Sequence, residues 1–313
     1  MGANHARVYS GLKGAVLAAV VDADAERAAS VAAQYGGVAL TSPSELAGLV
    51  DAASIAVPSS LHLPVGVELL GMGIDCLVEK PLAVTPADGR ALADAAKKAQ
   101  RTLLVGHIEQ FNPAVEQLTR ILRGGSTVRA IDARRMSAVS SRITDVDVVA
   151  DLMIHDIEIV LNLVGQDVID VVARGVNAAE GDSLAYVTAL LTFSDGTLAS
   201  LTASRITQNQ VRELQVTTED RLFEVDYAAQ ELRIYRQGRI GMLDTGDLAD
   251  GQYVLDVGTE QVFVRRSEPL YAELTHFLAC IRGEETPRVD GDRAVRAIEI
   301  AAQITELAKG LTI

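Results

Sequence analysis

Short runs of apolar, often β-branched residues alternate with helix-like segments through the first third of the chain. Such runs at residues 16–21, 38–40, 54–57, 75–79 and 102–105 predict strands. They are almost continuously apolar, which is typical of strands buried on both faces. The alternation predicts an α/β arrangement, a parallel sheet with helices on both faces.

Two of the intervening segments carry helix-start signals. Ser42 and Thr85 are each followed by proline and, three residues later, by a carboxylate. A hydroxyl at the N-cap with a carboxylate three residues on satisfies free amides at a helix start, and proline suits the first helical position. These signals predict helix starts and carry no function.

The pattern changes beyond residue 165 to strands separated by turns. Strands are predicted at residues 168–176, 186–193, 197–204, 214–218, 222–227 and 231–235, together with an earlier one at 128–139. Asp195-Gly196 is the expected chemistry for a hairpin turn. Residues 236–267 predict a long excursion with little core, and helices at 268–282 and 290–309 end the chain. The second half is therefore predicted to be an open, mostly antiparallel sheet.

Residues 151–165 have the features of a helix with a narrow polar stripe. Residues three to four positions apart share a helix face, which aligns four side chains, here called the polar seam: Asp151, His155, Glu158 and Asn162. The other faces are apolar, so the helix is predicted to be largely buried. The seam then faces a cavity or a partner, with a solvated strip as the alternative.

These elements predict an α/β plus α+β protein of two domains. Residues 1–108 form a Rossmann-type α/β domain. Residues 109–313 form a second domain, whose last helix packs back on the first. A chain of 313 residues is long enough for two such cores.

Composition places the chain among globular proteins, with 49% hydrophobic and 22% charged residues. No apolar run has the length of a membrane span, and the N-terminus lacks a signal-peptide layout, so a cytoplasmic location is predicted. Cys76 and Cys280 lie in apolar segments and are expected to be reduced core residues.

The charge balance narrows the possible ligands. Forty-two acidic against twenty-eight basic residues give a net charge of −14, with no basic cluster. Nucleic acid and anionic membranes are therefore poor candidate partners. An anionic small molecule remains possible, because a nearby Lys or Arg can outweigh a distant net charge that salt screens.

Asp22 ends the first predicted strand about twenty residues after a glycine that opens a helix. In a dinucleotide-binding fold, a carboxylate at this position binds the adenosine ribose hydroxyls and repels a 2′-phosphate, which favours NAD over NADP. The alternative is an ordinary acidic turn residue before the next helix.

The phosphate-binding loop should precede this strand. Of a G-x-G-x-x-G fingerprint only the last glycine is present, as Gly2, and the strand before it is absent. That strand is central in the usual order, and its loss would leave two neighbours unpaired. The expectation is a chain truncated at an internal methionine.

Three motifs in order carry a family resemblance: Val57 to His62, Glu79-Lys80-Pro81, and Asp151-x-x-x-His155. Together they resemble the Gfo/Idh/MocA family of NAD(P)-dependent sugar oxidoreductases, over essentially the whole chain. Residues 106–113 and 151–156 are similar to a branch that oxidises the C3 hydroxyl of UDP-N-acetylglucosamine or related nucleotide sugars. Val57 departs from the threonine that many relatives have there.

The resemblance implies that Lys80 and His155 are the catalytic pair and that Asp151 completes the site. Oxidising a secondary alcohol removes a hydride from carbon and a proton from oxygen, so a base must reach the hydroxyl. Histidine suits that work near neutral pH, and lysine can stabilise the developing negative charge on oxygen. Which of the two takes the proton stays open, and a solvated strand-end lysine is the alternative for Lys80.

The remaining site residues follow from the same resemblance and from the sheet's carboxyl edge. The predicted cofactor-binding residues are Gly2, His5, Asp22, Pro58, His62, Glu79 and Lys80. The predicted substrate-binding residues are His107, Asn112, Asp151 and His155. His107 has a structural role as its alternative, and Asn112 the N-cap of the helix that follows it. His276 is expected to be structural.

The predicted function is hydride transfer from a secondary hydroxyl of a sugar to NAD, at C3 of a UDP-N-acetylhexosamine-type nucleotide sugar. An inositol or other polyol is the alternative substrate. A noncatalytic Rossmann-type dimer is the alternative of another class, because the nucleotide loop is incomplete. A metal site is not expected, since Asp151 and His155 alone do not make one. The open sheet of residues 109–313 needs cover on its second face, and the resemblance implies that another subunit supplies it. This makes residues 109–313 the domain for substrate binding and oligomerisation and predicts a homodimer or homotetramer.

Overall fold

A computed structural model describes residues 1–138, 147–178, 181, 183–236, 240–242, 253–255 and 258–310. The first part of the chain alternates helices and strands as predicted. Its elements are α1 Gly2–Gly11, β1 Ala19–Val21, α2 Ala25–Tyr35, β2 Val38–Leu40, β3 Ala52–Ile55, α3 His62–Gly71, β4 Asp75–Glu79, α4 Pro86–Ala99 and β5 Leu103–Gly106.

The parallel strands of this part form two sheets. β1 pairs with β2, and β4 lies between β3 and β5. Among the described residues, β1 does not pair with β3. The predicted strands are confirmed with shifted ends, since β1 begins three residues later than expected and β3 lies at 52–55 instead of 54–57. Apolar residues continue into the turns at both places, so the apolar run does not coincide with the paired residues.

The two helix-start signals give different elements. Thr85 caps α4, and its hydroxyl accepts a hydrogen bond from the Asp88 amide at 3.1 Å. Ser42 forms the predicted capping box with Glu45 but begins only the single 3-10 turn Pro43–Leu46. Ala47 is extended and Gly48 has a φ of +72°, so the chain leaves the helical conformation after one turn. The prediction of an α-helix there is wrong.

The second part begins with a helix and is mostly sheet. Its elements are α5 Pro113–Leu122, β6 Val128–Met136, a π-helical turn Val149–Met153, α6 Ile154–Val164, β7 Val168–Asn177, β8 Leu184–Phe193, β9 Leu198–Ser204, β10 Val211–Thr218, β11 Arg221–Asp226, β12 Glu231–Arg236, β13 Ile240–Met242, β14 Tyr253–Leu255, β15 Gly258–Val262, α7 Pro269–Ile281 and α8 Gly291–Lys309. The last residue of the strand predicted at 128–139 lies outside the described residues. No helix in the described ranges is both long and apolar enough to cross a membrane.

The large sheet has eight strands in the order β15-β12-β11-β10-β6-β9-β8-β7. β6 and β9 are parallel, and the other neighbouring pairs are antiparallel. The predicted hairpin between β8 and β9 turns at Gly196, whose φ is +85°. The prediction of an excursion at 236–267 is wrong at residues 258–262, because β15 extends the sheet beside β12. β15 is an edge strand with polar, exposed residues, and so lacks an apolar alternation.

Helices cover one face of this sheet. α6 packs on β6 and β9, α8 on β7 and β8, and α5 on β11 and β12. The opposite face exposes apolar side chains such as Val172 (46% exposed), Leu190 (42%) and Leu198 (43%). The predicted combination of a Rossmann part with an open, mostly antiparallel sheet is therefore confirmed.

The last helix, α8, packs on both parts of the chain. It contacts α6 and β7 in the second part and α4 in the first. A Cβ atom at Gly291 would lie 2.6 Å from the Ala93 Cβ, and one at Gly89 would lie 3.3 Å from Val295. Glycine at these two positions allows α4 and α8 to approach closely.

The polar seam of α6 divides into two halves. Glu158 accepts hydrogen bonds from Gln110 and, at 2.8 Å, from Arg293 of α8, while Asn162 donates to Gln110 at 2.9 Å. Glu158 is 1% exposed. This half is a buried network between helices, whereas Asp151 and His155 lie at the other end of the seam.

Replacing Glu158 by Ala should lower the free energy of unfolding by about 1–3 kcal/mol, because the buried Gln110 amide loses its acceptor. Urea denaturation measures this difference. Glu299→Ala on the exposed side of α8 is the control and should change stability by no more than about 0.5 kcal/mol. Equal stability of the two variants would contradict a structural role for the buried half.

Candidate active site

Lys80 lies at the carboxyl end of β4, where a cis peptide bond joins it to Pro81. Its side chain is only 18% exposed. The ammonium group donates to the Asp151 carbonyl oxygen at 2.7 Å and lies 3.3 Å from the Asp151 carboxylate. Burial lowers the pKa of Lys80, and the Asp151 charge opposes that shift. Lys80 is therefore held in place by Asp151.

Asp151 sits in the π-helical turn that precedes α6. Asp147 lies two residues before this turn, and one of its carboxylate oxygens accepts from the Val149 and Ala150 amides at 3.0 and 2.9 Å. The second Asp151 carboxylate oxygen accepts from Arg205 at 3.0 Å. The Asp151 carboxylate thus lies between two cations, Lys80 and Arg205.

His155 follows Asp151 by one helical turn and faces the region of Lys80. Its Nδ1 atom is buried and has no hydrogen-bond partner. Burial, followed by the charges of Lys80 and Arg135, holds the pKa of His155 well below its usual range, and His107 and Arg212 act in the same direction. The imidazole is neutral at physiological pH, which is the form that accepts a proton.

His107 lies beside Lys80 at the end of β5 and is 2% exposed. Burial, with the charges of Lys80 and Arg293, lowers the pKa of His107 to about 3. Its Nδ1 atom is also buried without a partner. Two neutral imidazoles therefore lie near one lysine.

A buried ion network lies behind His155. Arg135 of β6 is 3% exposed and donates twice to Asp156 at 3.0 Å and once to Glu109 at 2.8 Å. Burial opposes the charged form of Arg135, but Asp156 and Glu109 hold its pKa above the usual value. Asp156 is the residue after His155, so this network fixes the first turn of α6 to the sheet.

The residues predicted for the cofactor lie in α1 and at or after the ends of β1, β3 and β4. Gly2 begins α1, whose N-terminus has neither a side-chain cap nor an acidic residue in the first turn. His5 and Glu79 are both buried and contact each other at 2.8 Å, and Glu79 also accepts from the Lys80 amide at 3.3 Å. This pair links α1 to the strand that ends at Lys80.

Asp22 lies directly after β1, as predicted, but is paired with Arg27. The Arg27 guanidinium donates to both carboxylate oxygens of Asp22 at 2.6 and 3.0 Å, and this contact holds the pKa of Asp22 below its usual range. Arg27 offsets the negative charge on which the preference for NAD over NADP depended, so Asp22 alone does not establish that preference.

The donor set of the first part fits an NAD. Free amides at a helix start suit a diphosphate, and α1 begins with such amides. A carboxylate at the end of β1 suits ribose hydroxyls. Lys80 lies at the end of β4, where ligands bind in open α/β sheets.

His62 and Pro58 shape the turn after β3. Pro58 precedes the 3-10 turn Ser59–Leu61. The two ring nitrogens of the buried His62 lie 2.9 Å from the Pro81 carbonyl oxygen and 3.0 Å from that of Val57. His62 therefore joins the turns that follow β3 and β4, which places it beside the Lys-Pro turn.

Asn112 has the capping role that the sequence left open. Its side-chain oxygen accepts from the Ala114 amide at 3.1 Å at the start of α5. Its side-chain amide donates to the Tyr227 carbonyl oxygen at 2.9 Å and to Glu109 at 3.3 Å. Asn112 is 2% exposed and these groups are all engaged, so the structure gives no support to its predicted contact with substrate.

His276 is bound within the fold. Nδ1 lies 2.6 Å from Glu285, and Nε2 accepts from the Arg288 amide at 3.1 Å. Cys280 lies 3.4 Å from the same Nε2, and burial raises the pKa of its thiol to about 11. The Cys-His-Glu set therefore lacks an activated thiolate.

Sequence reasoning missed Arg205, Arg135 and Arg212. Arg205 follows directly after β9, and its contact with Asp151 joins residues 54 positions apart. A signal existed for Arg135, because adjacent strand residues face opposite sides and the doublet of arginines at 134 and 135 must place one of them inward.

Burial, together with the charge of Lys80, should keep both His155 and His107 neutral. Imidazole NMR titration of the intact chain should show no midpoint for either between about pH 5 and pH 8. Lys80→Met should raise both pKa values, because it removes a nearby positive charge. Lys97→Met, which affects an exposed lysine bound to Asp292, is the control and should leave both unchanged. A normal titration of either histidine in the unaltered chain would refute this arrangement.

Comparison with known proteins identifies related chains. Residues 1–107 match the Gfo/Idh/MocA model described as an oxidoreductase family with an NAD-binding Rossmann fold, and residues 133–224 match the C-terminal domain model of the same group. The chain is 34% identical to UDP-N-acetylglucosamine 3-dehydrogenase of Acidithiobacillus ferrooxidans over 97% of this chain and 93% of that protein. A crystal form of a protein with that name and source superposes with a TM-score of 0.88 at 32% identity, covering 98% of this chain and 94% of the other.

A partial relative is inositol 2-dehydrogenase of Corynebacterium glutamicum (strain R), 29% identical over 55% of this chain and 53% of that protein. The similarity to the first relative extends through both parts of the fold, and the predicted NAD-binding Rossmann part is matched by its own model. The chain therefore belongs to the Gfo/Idh/MocA family of oxidoreductases.

Proposed function

We propose that this protein oxidises the C3 hydroxyl of a UDP-N-acetylhexosamine, with UDP-N-acetylglucosamine as the first candidate, and reduces NAD. The observation that carries the proposal is the meeting of Lys80, Asp151 and His155 at one place, from two parts of the fold. The similarity to a UDP-N-acetylglucosamine 3-dehydrogenase over nearly the whole chain supports the substrate.

Lys80 is placed to bind the reacting oxygen. Its ammonium group is oriented by the Asp151 carbonyl oxygen and carboxylate, and a third N–H remains to donate to a substrate hydroxyl. As the hydroxyl loses its proton, the ammonium charge stabilises the negative charge that develops on oxygen. The low exposure of Lys80 strengthens this effect, since little water screens it.

His155 is the proposed proton acceptor. Burial and the nearby cations keep its imidazole neutral, whereas Asp151 favours the charged form of Lys80. A neutral imidazole can take the hydroxyl proton, while an ammonium group can only donate. When bound, NAD supplies the carbon that accepts the hydride.

The same proposal assigns roles to further residues. His107 lies beside the substrate, and the cofactor is bound by Gly2, His5, Asp22, Pro58, His62 and Glu79. The position of the cofactor residues in α1 and at or after the ends of β1, β3 and β4 supports these roles.

The division into two domains at residues 108 and 109 is supported by the two family matches, which end and begin on either side of it. A cytoplasmic location rests on the two free, buried thiols and is checked by cell fractionation.

The test is formation of NADH by the intact chain with UDP-N-acetylglucosamine, its 6-uronate and myo-inositol. Turnover of a nucleotide sugar with the 3-keto product identified by NMR supports the proposal. Preference for myo-inositol would favour the polyol alternative, which the partial similarity to inositol 2-dehydrogenases keeps in view. NAD binding without turnover of any of these would favour the noncatalytic alternative.

Replacing His155 by Ala or Lys80 by Met should lower kcat by about 10²–10⁴-fold, because His155 accepts the hydroxyl proton and Lys80 stabilises the negative charge that develops on oxygen. Steady-state kinetics and NAD binding are measured together, so that a loss of cofactor affinity is recognised. Lys97→Met is the matched control and should keep full kcat. Full turnover by both site variants would overturn the assignment of the catalytic pair.

We also propose that the open face of the large sheet is covered by a second copy of the chain. Val172, Leu190 and Leu198 lie exposed on this face, and a contiguous apolar patch commonly marks an interface. Light scattering should find a dimer or tetramer, and Leu190→Glu should give monomers. Val67→Glu, on exposed α3, should leave the assembly intact; a monomeric unaltered chain would contradict the proposal.

A further inference from the structure

Arg212 lies on the covered face of the large sheet, close to the proposed proton acceptor. Alternate residues of a strand share a face, and Arg212 shares one with the buried Leu214 and Val216 of β10. Its partner across β6 is Arg135, whose guanidinium holds Asp156, the residue after His155. Arg212 is therefore directed toward the same end of α6 as His155.

Arg212 differs from several other arginines of the sheet in having no ion-pair partner among the described residues. It is exposed at the start of β10, and among the described residues no carboxylate lies within hydrogen-bonding or ion-pair distance of it. Several other arginines of the sheet are paired with carboxylates, Arg134 with Glu213, Arg233 with Glu224 and Arg236 with Glu260. The guanidinium of Arg212 is therefore not engaged by a carboxylate of the described residues.

Arg212 lies near enough to His155 to act on it electrostatically. The Arg212 charge reaches the imidazole and contributes to lowering the pKa of His155. A cation there makes the neighbouring base weaker, so Arg212 does not assist proton removal directly. An anion bound to the guanidinium of Arg212 would offset part of its effect on the pKa of His155.

We propose that Arg212 binds the phosphate oxygens of the substrate, and that it selects nucleoside-diphosphate sugars over uncharged sugars and polyols. The inference rests on the proposed function and names the part of the substrate that this side chain recognises. A planar guanidinium matches phosphate oxygens in pairs. In UDP-N-acetylglucosamine the diphosphate is the anionic group, so an arginine beside the sugar-oxidising residues can use it to position the ring.

The first experiment measures binding of UDP by calorimetry, with NAD at saturation so that the dinucleotide site is filled. Arg212→Gln should bind UDP about 10-fold or more weakly than the unaltered chain, as expected for a lost charge-assisted contact. Arg212→Lys should retain an intermediate affinity, and the difference between the unaltered chain and the Gln variant should shrink as salt is raised.

The matched control is Arg123→Gln. Arg123 is also exposed, and it lines a groove with Leu163 and Val164, at the opposite end of α6 from His155. Its replacement should leave UDP affinity unchanged. Thermal unfolding of each variant verifies that the fold is retained. Equal UDP affinity of Arg212→Gln and the unaltered chain, or no binding of UDP by the unaltered chain, overturns the inference.

Kinetics then separate this inference from the proposed function. Arg212→Gln should raise KM for UDP-N-acetylglucosamine more than it lowers kcat, because the diphosphate is bound alike in the ground state and the transition state. Turnover with an unchanged KM in the variant would overturn the inference and leave the proposed function standing. Arg212-dependent binding of UDP without any turnover would support the inference and contradict the proposed function.

Discussion

The contact between Lys80 and Asp151 is the junction on which the site depends. The lysine comes from the end of a strand in the first part, and the carboxylate comes from the turn before α6 in the second, 71 residues later. A buried ammonium group is costly without partners. The contact therefore stabilises the charge of Lys80 and joins the two parts of the chain at the site. Arg205 on the other side of Asp151 keeps the carboxylate fixed.

Around this contact, the buried charged groups are paired with one another and the buried histidines are neutral. Arg135, Asp156 and Glu109 form a paired network below the surface of the site, whereas His107 and His155 stay neutral because burial and nearby cations disfavour their protonation. In the proposed function, Lys80 is the hydrogen-bond donor and His155 the proton acceptor, and both lie in this region. Burial lowers the pKa of both groups, but the Asp151 carboxylate opposes that shift at Lys80, whereas nearby cations add to it at His155.

Local features were the most predictable from sequence. Caps such as Thr85, the Asp195-Gly196 turn and most strands depend on residues close together in the chain, so their pattern is visible there. The meeting of Lys80 with Asp151 was expected only from the family resemblance, because no periodicity connects positions so far apart. The contact of Arg205 with Asp151 and the pairing of Asp22 with Arg27 depend on how side chains fill the folded site. The edge strand β15 was missed because a half-exposed strand can be polar throughout, and Ser42 failed as an α-helix start because a cap determines where a helix begins, not how far it continues.

The π-helical turn Val149–Met153 gives the site a freedom that an uninterrupted α-helix lacks. A π turn is wider than an α turn and arises where one residue is accommodated within a helix. One residue of an α-helix corresponds to about 100° of rotation, so a change of one residue in this turn would re-aim Asp151 while His155 and the buried half of the seam kept their packing. A one-residue insertion or deletion at this turn would therefore alter which groups Lys80 contacts without rebuilding the core.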